Sequence, residues 1–92
     1  MPFIAFTLHA QGRIAQRGLS LNEVQLIWDY GESRQAGEGA RKFALSRRSV
    51  RELREDFSNL SRRRLDLLRR AYVVATDDVV VTAAFANRPV YN

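Results

Sequence analysis

The first third of the chain carries apolar residues at helical spacing, and its polar residues mark where helices begin and end. Residues 8–30 are predicted to form a helical hairpin, with Gly18 as the left-handed residue just past the first helix. Ser20 is followed three residues later by Glu23, which is the capping-box signature of a second helix start. Gly31 is predicted to end that second helix.

The pattern then loses its helical period and favours short strands. Residues 41–45 have the composition of a strand, and residues 33–36 can pair with them across a turn at 37–39. Residues 3–6 at the start of the chain are interpreted as a short strand or a packed arm.

Two further helices are predicted between the central and the C-terminal strands. Ser46 can cap a third helix that runs to about Phe57, and Ser61 can cap a fourth. Helical spacing turns Val50, Leu53 and Phe57 of the third helix inward.

The end of the chain carries the clearest strand pattern. Residues 72–76 and 79–85 are predicted to form a β-hairpin around Asp77 and Asp78. Both faces of this hairpin are apolar, so it is expected to lie centrally under the helices. The predicted fold is therefore α+β, with an N-terminal helical hairpin and further helices packed on a small antiparallel sheet that ends in a C-terminal β-hairpin.

Composition makes this chain one strongly basic domain over residues 1–92, with a net charge of +5. Residues 34–70 hold 12 Arg and Lys against five Asp and Glu, a local balance of +7. Such a field suits RNA, another polyanion or an acidic partner protein, although it also fits a solvated surface. Cysteine is absent, which excludes disulfides and thiolate zinc sites. Neither a signal peptide nor a membrane span is recognisable, so a cytoplasmic location is expected.

His9, Arg13 and Arg17 are spaced by four residues and so project along one face of the first predicted helix. A histidine can transfer protons near neutral pH, and two guanidiniums beside it can hold a phosphate. These are the groups that metal-independent RNA cleavage needs, with the histidine as general acid or base. The same spacing also fits an ordinary solvated helix face.

The remaining chemistry points to binding. We expect further phosphate contacts from Arg41 and Lys42, on an apparent sheet edge, and from the arginines of residues 47–70, among them the Arg47, Arg51 and Arg54 stripe of the third helix. Tyr72 and Phe85 on the terminal hairpin and Tyr91 after it are candidates for stacking on bases, or for the core. With one histidine and singly scattered acidic residues, neither a metal site nor a cofactor is expected.

The string at 9–18, which reads His-Ala-x-x-Arg-x-x-x-Arg-Gly, resembles the opening of a family of short bacterial proteins known as a domain of unknown function. The similarity continues through Leu-Ser-x-x-Glu-Val at 19–24, the region around Arg41 and Phe43, and the closing strand at 79–82. That family resembles RelE-like and barnase-like toxin folds.

This resemblance implies an RNA-cleaving toxin that uses His9, Arg13 and Arg17, with an acidic antitoxin as partner. Phe85 stands near the place where such proteins often end their last strand in tyrosine, and phenylalanine cannot transfer a proton.

Two functions are therefore open at this point: a metal-independent endoribonuclease of toxin type, and a non-catalytic basic module that docks on nucleic acid or an acidic protein. A homodimer that buries the basic helices is a third arrangement.

Overall fold

The structure is a computed structural model that describes residues 4–92. Its elements in chain order are β1 (Ala5–Phe6), α1 (Leu8–Gln16), α2 (Leu21–Tyr30), β2 (Glu32–Gly37), β3 (Ala40–Ala44), α3 (Arg47–Asp56), α4 (Arg62–Leu68), β4 (Ala71–Thr76) and β5 (Val79–Phe85). The predicted α+β fold class is confirmed. The N-terminal strand or arm of the prediction is β1, while its first residue, Phe3, lies outside the described residues. None of the helices in this range is long and apolar enough to cross a membrane.

The strands form one sheet in the order β1-β5-β4-β3-β2. The pairs β2–β3, β3–β4 and β4–β5 are antiparallel, which confirms both predicted hairpins. β1 adds a parallel edge, since Ala5 aligns with Val79 and Phe6 with Val80 of β5. The sheet is therefore mixed rather than purely antiparallel, because a two-residue strand from the distant N-terminus pairs with it.

Asp77 and Asp78 alone form the β4–β5 turn, because Thr76 pairs with Val79. Both aspartates have positive φ angles, 50° and 63°. Positive φ at both central residues is the conformation of a type I′ turn, whose twist matches that of the flanking strands. Aspartate is one of the few residues besides glycine that visit this region routinely. The pair Asp-Asp is thus compatible with a tight two-residue hairpin connection.

The two faces of the sheet are covered unequally. Ala71 and Val73 of β4 are buried in a core shared with side chains from all four helices, and α1 packs on β5 while α2 packs on β3 and β4. Tyr72, Val74 and Thr76, which point to the opposite face, are half-buried. The hairpin is central, as predicted, but helices cover one of its faces and leave the other partly open.

The predicted helix starts are confirmed. The Ser20 hydroxyl accepts from the Glu23 N–H and the Glu23 carboxylate accepts from the Ser20 N–H, both at 3.0 Å. The side chains of Ser46 and Ser61 cap α3 and α4, since they accept from the backbone N–H groups of Ser49 and Arg64. Phe57 was expected to face inward, but its side chain is 40 % exposed. The reason is that α3 ends before it, so its extended backbone no longer follows the helical spacing.

Gly31 ends α2 at a point where the chain passes close to β3. A β-carbon at this position would collide with the carbonyl oxygen of Ile27 and lie 2.8 Å from the carbonyl oxygen of Ala44. Its φ of −72° is accessible to any residue. Glycine is therefore required here by close packing of backbone rather than by a left-handed conformation.

Arg64 of α4 joins three separate parts of the chain. Its Nε and one terminal nitrogen donate to the two carboxylate oxygens of Glu23 on α2, at 2.5 and 2.7 Å. The same terminal nitrogen donates to the carbonyl oxygen of Gly18 in the α1–α2 turn, at 2.6 Å. The hydrogen bond from Arg64 holds the pKa of Glu23 below its usual range. We call this arrangement the Arg64 clasp.

Replacing Glu23 with glutamine removes the charge of the Arg64 clasp and one of its two acceptor oxygens, while Gln at this position still supports a capping box. We expect Glu23→Gln to lower the free energy of unfolding at pH 7 by about 1 kcal/mol, measured by urea titration. The lowered pKa belongs to the folded state, so the stabilisation is complete above the unfolded pKa of about 4.3 and is lost as the pH falls through the folded pKa. The difference between the two proteins should therefore vanish in acid.

The exposed ion pair between Arg48 and Glu52, with 3.2 Å between Arg48 Nε and Glu52 Oε1, provides the matched control. Glu52→Gln should change the unfolding free energy by less than about 0.5 kcal/mol at any pH. An equal effect of the two substitutions, or a Glu23→Gln effect that persists in acid, would contradict the role of the Arg64 clasp.

Candidate nucleic-acid interface

α1 turns its basic side chains to solvent because its apolar residues, Ala10 and Ile14, enter the core from the other side. His9, Arg13 and Arg17 are all exposed, and Arg17 is the residue that ends the helix. Within residues 4–92, none of these three side chains forms a hydrogen bond or ion pair with another residue. The helix thus places the three predicted residues along one open face, which we call the α1 stripe.

The α1 stripe is accessible to a phosphate, but nothing in residues 4–92 orients the imidazole of His9. Efficient general acid–base catalysis usually depends on such a partner. Leu8, directly before His9, is 87 % exposed, although leucine is commonly buried. The stripe therefore combines one imidazole and two guanidiniums with a neighbouring apolar side chain that the sequence pattern did not single out.

α3 brings its three predicted arginines together. Arg47, Arg51 and Arg54 line one surface groove of about 420 Å³ with Val50 and Glu55. We call it the α3 groove. Its three guanidiniums face a single carboxylate, and none of the three is ion-paired within the described part of the chain. The groove therefore carries an unneutralised positive charge.

The start of α3 is fixed from inside the protein. Ser46 and Ser49 are buried, and their hydroxyl groups lie 2.9 Å apart in a hydrogen bond. The backbone N–H of each serine also donates to the hydroxyl of the other, at 3.1 Å in both cases. This closed capping arrangement sets the direction of α3 and hence that of the α3 groove.

A second basic groove, of about 510 Å³, runs along α4. It is lined by Ser61, Arg63, Arg64, Asp66, Leu67 and Arg70. Arg64 is engaged in the Arg64 clasp, whereas Arg63 and Arg70 have no ion-pair partner among residues 4–92. Arg63 lies in α4 and Arg70 in the turn that follows it, and both belong to the arginines of residues 47–70 that the sequence predicts as RNA contacts.

Arg41 and Lys42, predicted as neighbouring phosphate contacts on a sheet edge, lie instead in β3, an inner strand between β2 and β4. Their side chains point to opposite faces of the sheet because they are adjacent in the strand. Arg41 donates from Nε to the Ser33 hydroxyl at 3.0 Å and from a terminal nitrogen to the Ser33 carbonyl at 3.2 Å. Lys42 lies on the partly open face, with its ammonium 4.4 Å from the centre of the Tyr72 ring. The two side chains therefore belong to different surfaces, and neither lines the α3 groove.

The aromatic candidates divide between core and surface. Tyr91 is 6 % exposed, and its hydroxyl donates to the Lys42 carbonyl at 2.8 Å. Burial raises the pKa of Tyr91. Phe85 is packed against the hydrophobic core. Tyr72 is half-buried on the partly open face, where the Lys42 ammonium lies over its ring.

Within the described range 4–92, no group of three or more histidine, cysteine and acidic residues could hold a metal ion. The chemistry that the interface offers is thus that of guanidiniums, one ammonium, one imidazole and a few aromatic rings. These groups suit the recognition of phosphates and bases.

Comparisons with family models, with curated proteins and with solved structures find no match for this chain.

Proposed function

We propose that this protein binds RNA mainly through its phosphates, with the α3 groove as the principal contact and the α1 stripe as a second one. One observation carries the proposal: only two of the 14 arginines, Arg48 and Arg64, form ion pairs with a carboxylate within residues 4–92. The other arginines form no ion pair with a carboxylate of the described fold. A polyanion offsets their charge on binding, with the release of counterions.

The geometry of the α3 groove supports this assignment. Arg47 and Arg54 are seven residues apart, which places them about 10 Å from each other along the helix axis, with Arg51 between them. Guanidiniums bind phosphate oxygens in a bidentate manner, and they hold such a row in register better than ammonium groups do. The groove thus presents a short, ordered row of phosphate donors rather than a diffuse positive charge.

A pair of substitutions on the same helix tests the proposal. Arg51→Gln removes one charge from the α3 groove, whereas Arg48→Gln removes one charge from a residue that is paired with Glu52 outside the groove. We expect Arg51→Gln to weaken binding of single-stranded oligouridine roughly three- to tenfold, because a charge-assisted contact is lost. Arg48→Gln should weaken it less than about twofold. Fluorescence anisotropy at one fixed salt concentration makes the comparison.

Equal losses in the two variants would show that only total charge matters, and the α3 groove would then not be the binding site. Circular dichroism of both variants provides the control for helix content.

Metal-independent RNA cleavage of toxin type is a second candidate function, and the common exposure of His9, Arg13 and Arg17 on α1 favours it. In this reaction the 2′-hydroxyl attacks the adjacent phosphorus while a base takes its proton and an acid protonates the leaving 5′-oxygen. His9 would supply one of these proton transfers, and the two arginines would stabilise the negative charge on the phosphorane-like state. A second acid–base group or water would supply the other transfer, since this chain has a single histidine.

Cleavage of a mixed RNA pool in EDTA tests this second function. We expect purified wild-type protein to yield product and His9→Ala to lose at least about 100-fold in rate, the usual contribution of a general acid or base. Gln11→Ala, an exposed change on the same helix, should leave the rate unchanged. Retained cleavage in His9→Ala would reject a catalytic role for His9. Absence of cleavage by the wild type would count against this second function and leave RNA binding as the proposed one.

An acidic antitoxin would be recognised by the same unpaired arginines. We propose that such a partner and RNA exclude one another, because both need the positive charge of the α3 groove. The antitoxin would then act as a competitive inhibitor of RNA binding.

A further inference from the structure

A cavity of about 310 Å³ opens at the end of the sheet where the β2–β3 and β4–β5 turns meet α2. It is lined by Trp28, Gly39, Arg41, Phe43, Ala75, Asp77 and Asp78. Three kinds of group line it: an aromatic wall, one guanidinium and two carboxylates. We call this cavity the Trp28 pocket.

The wall of the Trp28 pocket is a preformed aromatic pair. The rings of Trp28 and Phe43 lie 4.4 Å apart between centres with an angle of 32° between their planes. Both side chains are half-buried, so their positions are fixed by the core while part of their surface stays accessible. Ala75 of β4, a small residue, also lines the cavity and leaves space above the sheet. A flat apolar ligand fits such a space.

The rim of the pocket is polar and largely preorganised. Arg41 is held by its two hydrogen bonds to Ser33, which leave the remaining N–H groups of the guanidinium free to donate. Asp77 and Asp78 lie in the tight two-residue turn, and their carboxylates form no ion pair within residues 4–92. Each carboxylate can accept two parallel hydrogen bonds.

The charge of the pocket indicates the kind of ligand. Two carboxylates and one guanidinium make it locally acidic, in a chain whose net charge is +5. A phosphate is therefore disfavoured inside it, and a flat group with adjacent N–H donors is favoured. Guanine is the RNA base that carries two adjacent donors, N1–H and N2–H, and it also has the acceptors O6 and N7 that suit arginine.

We propose that the Trp28 pocket binds an unstacked guanine base of RNA, with the ring against Trp28, the N1–H and N2–H donors on the turn carboxylates, and Arg41 on O6 or N7. This inference rests on the proposed RNA binding and adds base selectivity to it. The α3 groove would hold phosphates without regard to sequence, and the pocket would select the nucleotide.

The test uses the single tryptophan of the chain as its reporter. Free guanosine and free adenosine are titrated against the intact protein, and then U3GU3, U3AU3 and the inosine form U3IU3 are compared by anisotropy and by Trp28 fluorescence. We expect guanosine to quench Trp28 more than adenosine does, and U3GU3 to bind about tenfold more tightly than U3AU3. Inosine lacks the N2 amino group, so U3IU3 should fall between the two.

The double variant Asp77→Asn, Asp78→Asn removes both carboxylates while keeping residues that tolerate positive φ. It should abolish the preference for guanine over adenine. Glu38→Gln is the matched control, since Glu38 is also acidic with positive φ, 53°, but does not line the Trp28 pocket. This control should keep the preference.

The outcomes separate the two proposals. Failure to bind any heptamer would reject the proposed RNA binding, while guanosine quenching would still report on the pocket by itself. Equal responses to guanosine and adenosine, a preference that survives in the double variant, or stronger quenching by the cation methylguanidinium than by guanosine would overturn the guanine assignment.

Discussion

The Arg64 clasp is the interaction on which the arrangement of the helices depends. The guanidinium of Arg64 binds both carboxylate oxygens of Glu23 and the carbonyl of Gly18, and so links α4 to the start of α2 and to the turn after α1. Glu23 also closes the capping box of α2, so one carboxylate serves both a local helix start and a contact 41 positions away. The clasp thereby sets how the basic surfaces of α1 and α4 lie relative to each other.

The distribution of charge follows from the small number of acidic residues near the arginines. Carboxylates are few between residues 34 and 70, and the structure uses one from outside that segment, Glu23, to fix one arginine. The other arginines of α3 and α4, apart from Arg48, have no carboxylate partner within residues 4–92. Two acidic residues, Asp77 and Asp78, lie instead beside the aromatic wall of the Trp28 pocket. The proposed phosphate recognition and base recognition would thus lie on separate surfaces of one small fold.

Local signals in the sequence predicted most elements, whereas long-range pairing decided the rest. The capping serines Ser20, Ser46 and Ser61 were recognisable because the side chain and its N–H partners lie within three residues. The opposite directions of Arg41 and Lys42 follow from strand alternation alone. The pairing of β1 with β5 and the meeting of Trp28, Phe43 and Asp77 depend on contacts between distant segments. A local sequence pattern contains no information about contacts between distant segments, so the Trp28 pocket could not be predicted. The arginines of the α3 groove could be predicted because they lie on one helix.

The most direct test of the account is the salt dependence of oligouridine binding by the intact protein. The logarithm of the association constant should fall linearly with the logarithm of salt concentration. Three phosphate contacts in the α3 groove alone predict a slope of about −2 for a single strand, and two more on the α1 stripe steepen it to about −3.5. A slope in this range would establish a phosphate-led interface. An affinity that stays constant between low and high salt would contradict it, because unpaired arginines cannot bind a polyanion without releasing counterions.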